Sequence, residues 1–366
     1  MNYLFQRAIV ACLPFFVSLA VASHAVAQDS GAAKLKSVEV DKLGNPADVV
    51  KIMTEAARPL QSGEVRIKVL ATPIHPSDLL QISGNYGVDP ALPYTPGSEG
   101  VGRVVETSAE VAYLQVGQLV LLAGGGTWRE EIVAPASQFI PIADSASIEQ
   151  EVIEQLAMAV VNPLTAFLML TTFAELGEDD WIVQSASNSA VGGYVIQLAK
   201  QRGVKTINVV RREGLAEDLL AKGADAVLID GPDLASEIAT ATGGAPVSLA
   251  IDAVGGSTFA RLAASLDYGA TLVSYGVLSG QPASFNPAMS IFNDIRIRGF
   301  WLAKWFETAT MEQRQAAFGQ IIPLVGSGSL KADIDSRYSI DEIQQAVSRA
   351  AQRGRNGKVL IVPNTQ

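Results

Sequence analysis

A run of small residues, Ala186 to Gly193, has the residue types and spacing of a phosphate-binding turn. It follows an apolar run from Trp181 to Ala186, which predicts a buried strand, and it leads into a helical pattern from Val191 to Arg202. In such a strand–turn–helix unit, free N–H groups at the helix start point at a pyrophosphate. Ala186 and Asn188 stand where glycines are usual, so the motif is weak by itself. The residues predicted to line the pyrophosphate are Asn188, Ser189, Ala190 and Val191.

Two arginines follow the next predicted strand, which runs from Thr206 to Val210. An acidic residue at about twenty positions after the turn holds the ribose 2′-OH of NAD, whereas an arginine accommodates the 2′-phosphate of NADP. Arg211 and Arg212 occupy this point, and the nearest acid, Glu213, is one residue beyond them. The sequence therefore favours NADPH as the cofactor. A solvated basic helix start is the alternative.

The elements that must position these residues alternate between strands and helices. Six strands are predicted, at 181–186, 205–210, 226–230, 248–252, 270–275 and 295–300. This alternation is typical of a doubly wound parallel sheet. The segment from Val38 to Ala143 is instead rich in strands broken by glycine and proline. We therefore predict an α/β protein with a β-rich catalytic domain and a Rossmann nucleotide-binding domain.

Helical spacing and a last apolar run predict how the two domains share the chain. Helices are expected at Gln150–Val160, Pro163–Leu176 and Met311–Val325, and a strand at Lys358–Val362 is expected to return to the N-terminal domain. The predicted boundaries are 28–160 with 310–366 for the catalytic domain, and 161–309 for the NADP-binding domain.

Composition excludes several kinds of chemistry. The chain has 366 residues and a net charge of −10, which gives no electrostatic basis for binding nucleic acid. Its one cysteine, Cys12, and one of its two histidines, His24, lie in the first 27 residues. His75 is then the one histidine that remains. Since a zinc site needs three or four ligands, we predict no metal and no Ser-His or Cys-His nucleophile.

The N-terminus has the pattern of a secretory signal peptide. Arg7 precedes an apolar run from Ala8 to Ala22, and Ala25-Val-Ala27 forms a cleavage site of small residues. We expect residues 1–27 to be removed, which would give an exported protein, periplasmic or secreted, with no stable membrane span. An uncleaved anchor is the alternative. Export is in tension with a dependence on NADPH.

Several separated motifs between about residues 38 and 362 resemble those of one known family. They include Pro76-Ser-Asp78, Gly84-Asn-Tyr-Gly87, Gly97-Ser-Glu-Gly100, Asn162-Pro163, Tyr275-Gly276 and Arg298-Gly-Phe-Trp-Leu302. Together they resemble the zinc-free 2-enoyl thioester reductases of the medium-chain dehydrogenase/reductase superfamily, a group that includes mitochondrial trans-2-enoyl-ACP/CoA reductases. Two departures are Ser98, where zinc-dependent relatives carry a histidine, and His75, which replaces a more usual asparagine.

The resemblance implies a GroES-like catalytic domain, a homodimer paired through edge strands near 285–300, and an enoyl thioester substrate on ACP or CoA. Reduction of its C=C bond needs a hydride at the β-carbon and a proton at the α-carbon, and Tyr86 matches the family's catalytic tyrosine. A tyrosine phenol keeps its proton at neutral pH, as a proton donor must. The resemblance also places these residues near the cofactor: Asn162, Tyr275, Gly276, Phe300, Trp301 and Lys358.

Each of these assignments has a structural alternative. Asn162 could be a helix N-cap, Tyr86 a packed turn residue, and Lys358 a solvated lysine. Two other functions also remain open. One is a quinone or enone oxidoreductase of the same superfamily, which shares the hydride chemistry and differs in its pocket. The other is a non-catalytic, exported NADP-binding protein, which the predicted signal peptide favours.

Overall fold

The computed structural model describes residues 34–142 and 148–364. The predicted signal peptide, with Cys12 and His24, lies outside the described residues. Among the residues that are described, no helix combines the length and the apolar character needed to cross a membrane.

The N-terminal part of the described chain is built from β-strands in two sheets. β1 (Lys34–Val40) pairs antiparallel with β2 (Val50–Ala56). Seven of the described strands form a larger, mixed sheet with the order β14-β15-β3-β4-β5-β7, in which β6 also pairs with β3. These strands are β3 (Glu64–Pro73), β4 (Gly100–Thr107), β5 (Leu119–Leu122), β6 (Glu131–Pro135), β7 (Phe139–Pro141), β14 (Ile334–Tyr338) and β15 (Lys358–Ile361). The sheet therefore takes in two strands from late in the chain, and β15 lies between β14 and β3.

Six strands in the middle of the described chain form a parallel sheet. They are β8 (Trp181–Gln184), β9 (Lys205–Val210), β10 (Ala226–Ile229), β11 (Val247–Asp252), β12 (Thr271–Ser274) and β13 (Arg296–Gly299). Their order is β10-β9-β8-β11-β12-β13, so the direction of winding reverses between β8 and β11. This confirms the predicted doubly wound sheet of six strands. Ligands of such sheets bind at the carboxyl ends of the strands, next to the reversal point.

The helices lie between these strands along the chain. They are α1 (Pro46–Val49), α2 (Pro76–Ile82), α3 (Gln150–Leu156), α4 (Asn162–Thr172), α5 (Ala190–Gln201), α6 (Ala216–Lys222), α7 (Leu234–Ala241), α8 (Gly256–Ala264), α9 (Pro287–Asn293), α10 (Leu302–Thr308), α11 (Met311–Gly326) and α12 (Ile343–Ala351).

Two helices differ from the sequence-based prediction. The helix expected over Gln150–Val160 ends at Leu156, because the next five residues form a turn. The following helix begins at Asn162, and Val161 occupies its N-cap position. The interpretation of Asn162 as an N-cap is therefore wrong, since Asn162 is already the first helical residue.

One hydrophobic cluster connects the two larger sheets. It contains Val101 from β4, Leu119 from β5, Ile182 from β8 and Leu249 from β11, all fully buried. Apolar residues of α4, α5 and α11 belong to the same cluster. The two sheets and these helices therefore share one hydrophobic core. The domain boundaries at 160/161 and 309/310 remain a prediction.

Candidate active site

One residue of the turn after β8 adopts a left-handed backbone conformation, as a tight strand-to-helix turn requires. Ala186 has a φ of 49°, in the left-handed region where glycine is the usual residue. The Ser187 hydroxyl donates to the carbonyl oxygens of Gln184 and Val209, at 3.1 and 3.2 Å. The turn is thereby tied to the end of β9, two residues before Arg211. Because alanine carries a Cβ atom, this conformation costs about 1–2 kcal/mol at position 186.

The start of α5 leaves backbone donors free to bind an anion. Ser189 is the N-cap, and its hydroxyl accepts from the Gly192 N–H at 3.1 Å. A Cβ atom at Gly192 would lie 2.4 Å from the Ser187 carbonyl oxygen, so the helix packs directly on the turn. The N–H groups of Ala190 and Val191 precede any helical acceptor, and Asn188 beside them is exposed. These residues fit a dinucleotide pyrophosphate.

Arg211 and Arg212 are both exposed at the carboxyl end of β9. None of the salt bridges within the described residues involves either guanidinium group. Two arginines without an acidic partner, next to the phosphate-binding turn, fit a second phosphate group. The chain's own residues thus fit NADPH.

Tyr275 and Gly276 follow β12 and face the same turn. Burial raises the pKa of the Tyr275 phenol, and the nearby Ser189 side chain opposes this shift. A Cβ atom at Gly276 would approach the Ala253 carbonyl oxygen at 3.0 Å. The ends of β11 and β12 are therefore packed closely on the side of the sheet where the turn lies.

The structure joins Tyr86 to Trp301, which is 215 residues away in the sequence. The indole Nε1 of Trp301 donates to the phenolic oxygen of Tyr86 at 3.0 Å. Tyr86 is half-buried on the loop after α2, and Trp301 is 43% exposed just beyond β13. Phe300, beside Trp301, packs edge-on against Phe173 at 6.0 Å between ring centroids. The predicted catalytic tyrosine and the predicted pocket wall therefore meet at one place.

Lys358 lies in a buried chain of hydrogen bonds, so the alternative of a solvated lysine is wrong. Its Nζ atom lies 3.0 Å from His75 Nδ1 and donates to the Ile74 carbonyl oxygen at 3.2 Å. His75 Nε2 lies 2.7 Å from Glu99 Oε1. Burial lowers the pKa of Lys358 to about 8, against the opposing effect of the nearby carboxylates.

Glu99 connects this chain to the start of α4. Its Oε2 atom accepts from the backbone N–H groups of Val160 and Val161, at 2.7 and 2.8 Å. Asn162, which is 6% exposed, follows directly. Sequence reasoning placed Lys358 and Asn162 near the cofactor but assigned no role to Glu99. The available signal was an acidic residue inside the small-residue motif Gly97-Ser-Glu-Gly100.

The predicted site residues thus form three groups. The first is the turn, Arg211, Arg212 and Tyr275; the second is the Tyr86–Trp301 pair; the third is Lys358 and Asn162, joined through His75 and Glu99. Within the described residues, no hydrogen bond joins the third group to the second. Within the described part of the chain, no group of three or more His, Cys, Asp or Glu side chains could hold a metal. Ser98 instead donates to Asp78.

Two family models match this chain. Residues 61–144 match the alcohol dehydrogenase GroES-like domain, and residues 190–317 match the zinc-binding dehydrogenase model. The first match covers β3 to β7, and the second begins at α5 and ends within α11. Most strands of the two larger sheets therefore lie within matches to known dehydrogenase domains.

Similar proteins fall into two functional groups. The chain is 35% identical over 311 residues to the mitochondrial enoyl-[acyl-carrier-protein] reductase of Rattus norvegicus, covering 83% of this chain and 82% of that one. The Etr1p/Etr2p 2-enoyl thioester reductase heterodimer of Candida tropicalis matches with a TM-score of 0.82 and 27% identity, over 90% of this chain and 100% of that one. Etr1p has also been solved with NADP and crotonyl-CoA, with a TM-score of 0.81. A candidate NADPH:quinone reductase from Bacillus thuringiensis matches with a TM-score of 0.82 and 31% identity, over 91% and 100%.

Proposed function

The chain belongs to the medium-chain dehydrogenase/reductase family and is an oxidoreductase, and on this premise we propose that it uses NADPH to reduce the C=C bond of a trans-2-enoyl thioester. The observation that carries the proposal is the hydrogen bond from Trp301 Nε1 to the oxygen of Tyr86. An indole N–H can only donate. Tyr86 therefore accepts through its oxygen, and its own hydrogen remains free to point at a substrate.

This arrangement suits a tyrosine that gives up a proton. When the proton moves to the α-carbon of the substrate, negative charge remains on the phenolic oxygen. The Trp301 N–H already points at that oxygen and stabilises the charge without reorganising. A proton from solvent then restores the phenol. The half-buried position of Tyr86 allows both contact with a substrate and this exchange.

Bound NADPH would supply the hydride that goes to the β-carbon. The chain would hold its pyrophosphate at Asn188, Ser189, Ala190 and Val191, and its 2′-phosphate at Arg211 and Arg212. Tyr275, Gly276 and Phe300 follow β12 and β13, where the nicotinamide end of a dinucleotide lies in sheets of this topology. Together, the hydride and the proton from Tyr86 saturate the double bond.

The known relatives support an acyl thioester as the substrate. The rat relative is an enoyl-[acyl-carrier-protein] reductase, and Etr1p has been solved with crotonyl-CoA. Reduction of a quinone or enone is the second candidate, and the similarity to the Bacillus thuringiensis protein favours it. A quinone is protonated on its oxygen atoms, so the role of Tyr86 separates thioester reduction from quinone reduction. An enone also takes a proton at its α-carbon, so it is separated from the thioester by comparing the two substrates directly.

The decisive experiment compares two substrates and one variant. The rate of NADPH oxidation is measured at a fixed enzyme concentration, with crotonyl-CoA and with a simple quinone, for the wild type and for Tyr86→Phe. We expect crotonyl-CoA to be reduced and Tyr86→Phe to lower kcat by a factor of about 10² to 10⁴, with NADPH binding retained. Tyr113→Phe, at a tyrosine that is 56% exposed, is the matched control and should change nothing.

Three outcomes would contradict this proposal. Quinone reduction that is indifferent to Tyr86→Phe, with no turnover of crotonyl-CoA, would favour the second candidate. NADPH binding without turnover of either substrate would favour a non-catalytic, exported NADP-binding protein. Failure to bind NADPH at all would remove the basis of the proposal.

A further inference from the structure

A buried polar chain links three residues that are far apart in the sequence: Lys358, His75 and Glu99. Their side chains are 5%, 3% and 0% exposed, respectively. Lys358 is the first residue of β15, His75 precedes α2, and Glu99 precedes β4. Burying two charged groups is costly unless their hydrogen bonds are satisfied. The histidine between them provides one hydrogen-bond partner for each.

The partners of His75 determine the protonation state of its ring. The Lys358 ammonium group can only donate, so Nδ1 of His75 must accept the hydrogen bond of 3.0 Å. Nε2 therefore carries the ring hydrogen and donates to Glu99 at 2.7 Å. The ring is neutral, with Lys358 on one side and the Glu99 carboxylate on the other.

Two more charged residues act on this chain. The Asp78 carboxylate accepts from the backbone N–H of His75 at 2.8 Å, and it favours the charged form of Lys358. Arg355 opposes that form. Lys358 is therefore acted on by two carboxylates, Glu99 and Asp78, and by one guanidinium group, Arg355.

The far end of the chain reaches the start of α4, a helix that shares a hydrophobic core with α5. The second oxygen of Glu99 accepts from both N–H groups that precede Asn162, at the start of α4. A carboxylate at a helix N-terminus is favourable because it meets the positive end of the helix dipole. A movement of Glu99 would therefore move the backbone that carries Asn162.

We propose that His75 is a positioning residue for cofactor binding: its neutral ring holds the Glu99 carboxylate at the start of α4, which orients Asn162, and it accepts a hydrogen bond from Lys358. The proposal rests on the proposed function for the location of the cofactor. Removing the ring would break its link to Glu99, whereas Lys358 would keep one partner, the Ile74 carbonyl oxygen.

The variants His75→Gln and His75→Asn each keep one of the two hydrogen bonds made by the ring and remove the other. In His75→Gln the side-chain amide nitrogen reaches the place of Nε2 and can donate to Glu99, but no acceptor remains for Lys358. In His75→Asn the amide oxygen lies near the place of Nδ1 and can accept from Lys358, but the side chain falls short of Glu99. The measurement is the Kd for NADPH, from its fluorescence in the binary complex.

We expect His75→Asn to raise the Kd for NADPH about tenfold, the effect of one hydrogen bond to a charged group, and His75→Gln to stay within about twofold of the wild type. At saturating NADPH, kcat should change less than the Kd, because Tyr86 is untouched. Glu154→Gln is the matched control. It disturbs another buried carboxylate, paired with Arg337 at 2.5 Å, and should leave the Kd unchanged.

A second measurement uses the wild-type protein, so it does not depend on whether a variant folds. Nitrogen NMR of wild-type protein with isotope-labelled histidine should show His75 as a neutral ring with its hydrogen on Nε2. A protonated ring, or a hydrogen on Nδ1, would overturn the proposal, and so would equal NADPH affinity in His75→Asn and the wild type. If no enoyl thioester is reduced but the His75 variants still differ in NADPH affinity, the proposed substrate fails and the positioning role stands.

Discussion

At the scale of single residues, the chemistry depends on the direction of one hydrogen bond. Because Trp301 donates to Tyr86, the phenol is held by its oxygen and presents its hydrogen. With phenylalanine at 301, this hydrogen bond would be lost and the Tyr86 side chain could rotate. A tyrosine that only packs in a loop would need no hydrogen-bond donor at its oxygen. The motifs identified both residues, but their contact across 215 positions depends on how the loop after α2 meets the end of β13.

The choice of cofactor is also decided by single residues. We expect the double variant Arg211→Ala, Arg212→Ala to lose NADPH affinity by about 10- to 100-fold, the loss of one charge-assisted hydrogen bond of roughly 1.5–3 kcal/mol, because both guanidinium groups are exposed and screened by solvent. NADH binding should change little, because it lacks the 2′-phosphate. Titration calorimetry with both cofactors measures the difference.

Arg202→Ala is the matched control for this double variant, because Arg202 is equally exposed but lies at the opposite end of α5. Tighter binding of NADH than of NADPH by the wild type would contradict the assignment of Arg211 and Arg212.

Residue types alone could not predict the buried chain. The resemblance places Lys358 and Asn162 near the cofactor, whereas His75 stands out in the sequence as the one remaining histidine and as a departure from the usual asparagine. Their connection needs Glu99, whose two oxygens face different elements. A carboxylate that bridges a histidine and a helix start has no local sequence pattern, because its partners lie 24 and 61 residues away.

At the scale of elements, the β13 edge of the six-stranded sheet is exposed to solvent. β13 ends the strand order, and all four of its residues are exposed. Ile291 and Phe292 of the preceding α9 are 71% and 74% exposed. Unpaired edge strands flanked by apolar side chains promote association. We propose that two copies of this chain pair along β13 to form a homodimer.

The dimer can be tested at α9. Phe292→Asp places a charge in the proposed interface and should convert the dimer into a monomer, as measured by light scattering after size-exclusion chromatography. Val116→Asp, at an apolar residue that is 65% exposed elsewhere, is the matched control and should remain dimeric. A wild type that is monomeric at all concentrations would refute the proposal.

Most elements could be predicted because their patterns are local. The six parallel strands lie within one or two residues of their predicted positions, since their apolar or alternating runs are bounded by turn residues. The early end of α3 at Leu156 could not be predicted, because the apolar residues continue to Val160. There the chain leaves the helix, and Glu99 binds the N–H groups that the turn exposes.

At the scale of the whole molecule, the predicted signal peptide concerns residues before the described part of the chain. We propose that the protein is exported and that its mature form begins at Gln28. Mass spectrometry of the N-terminal peptide, from protein purified out of separate cell fractions, measures this directly. An intact Met1 in the cytosolic fraction would contradict export and would also remove the tension with a dependence on NADPH.

The position of β15 between β14 and β3 has a consequence for the order of events during synthesis. The nucleotide-binding sheet is complete once residue 299 has left the ribosome, whereas the other large sheet must wait for a strand that begins at Lys358. Until then His75 and Glu99 have no cation beside them. A nascent chain therefore acquires its phosphate-binding half early, and gains the polar connection behind Asn162 among its last steps.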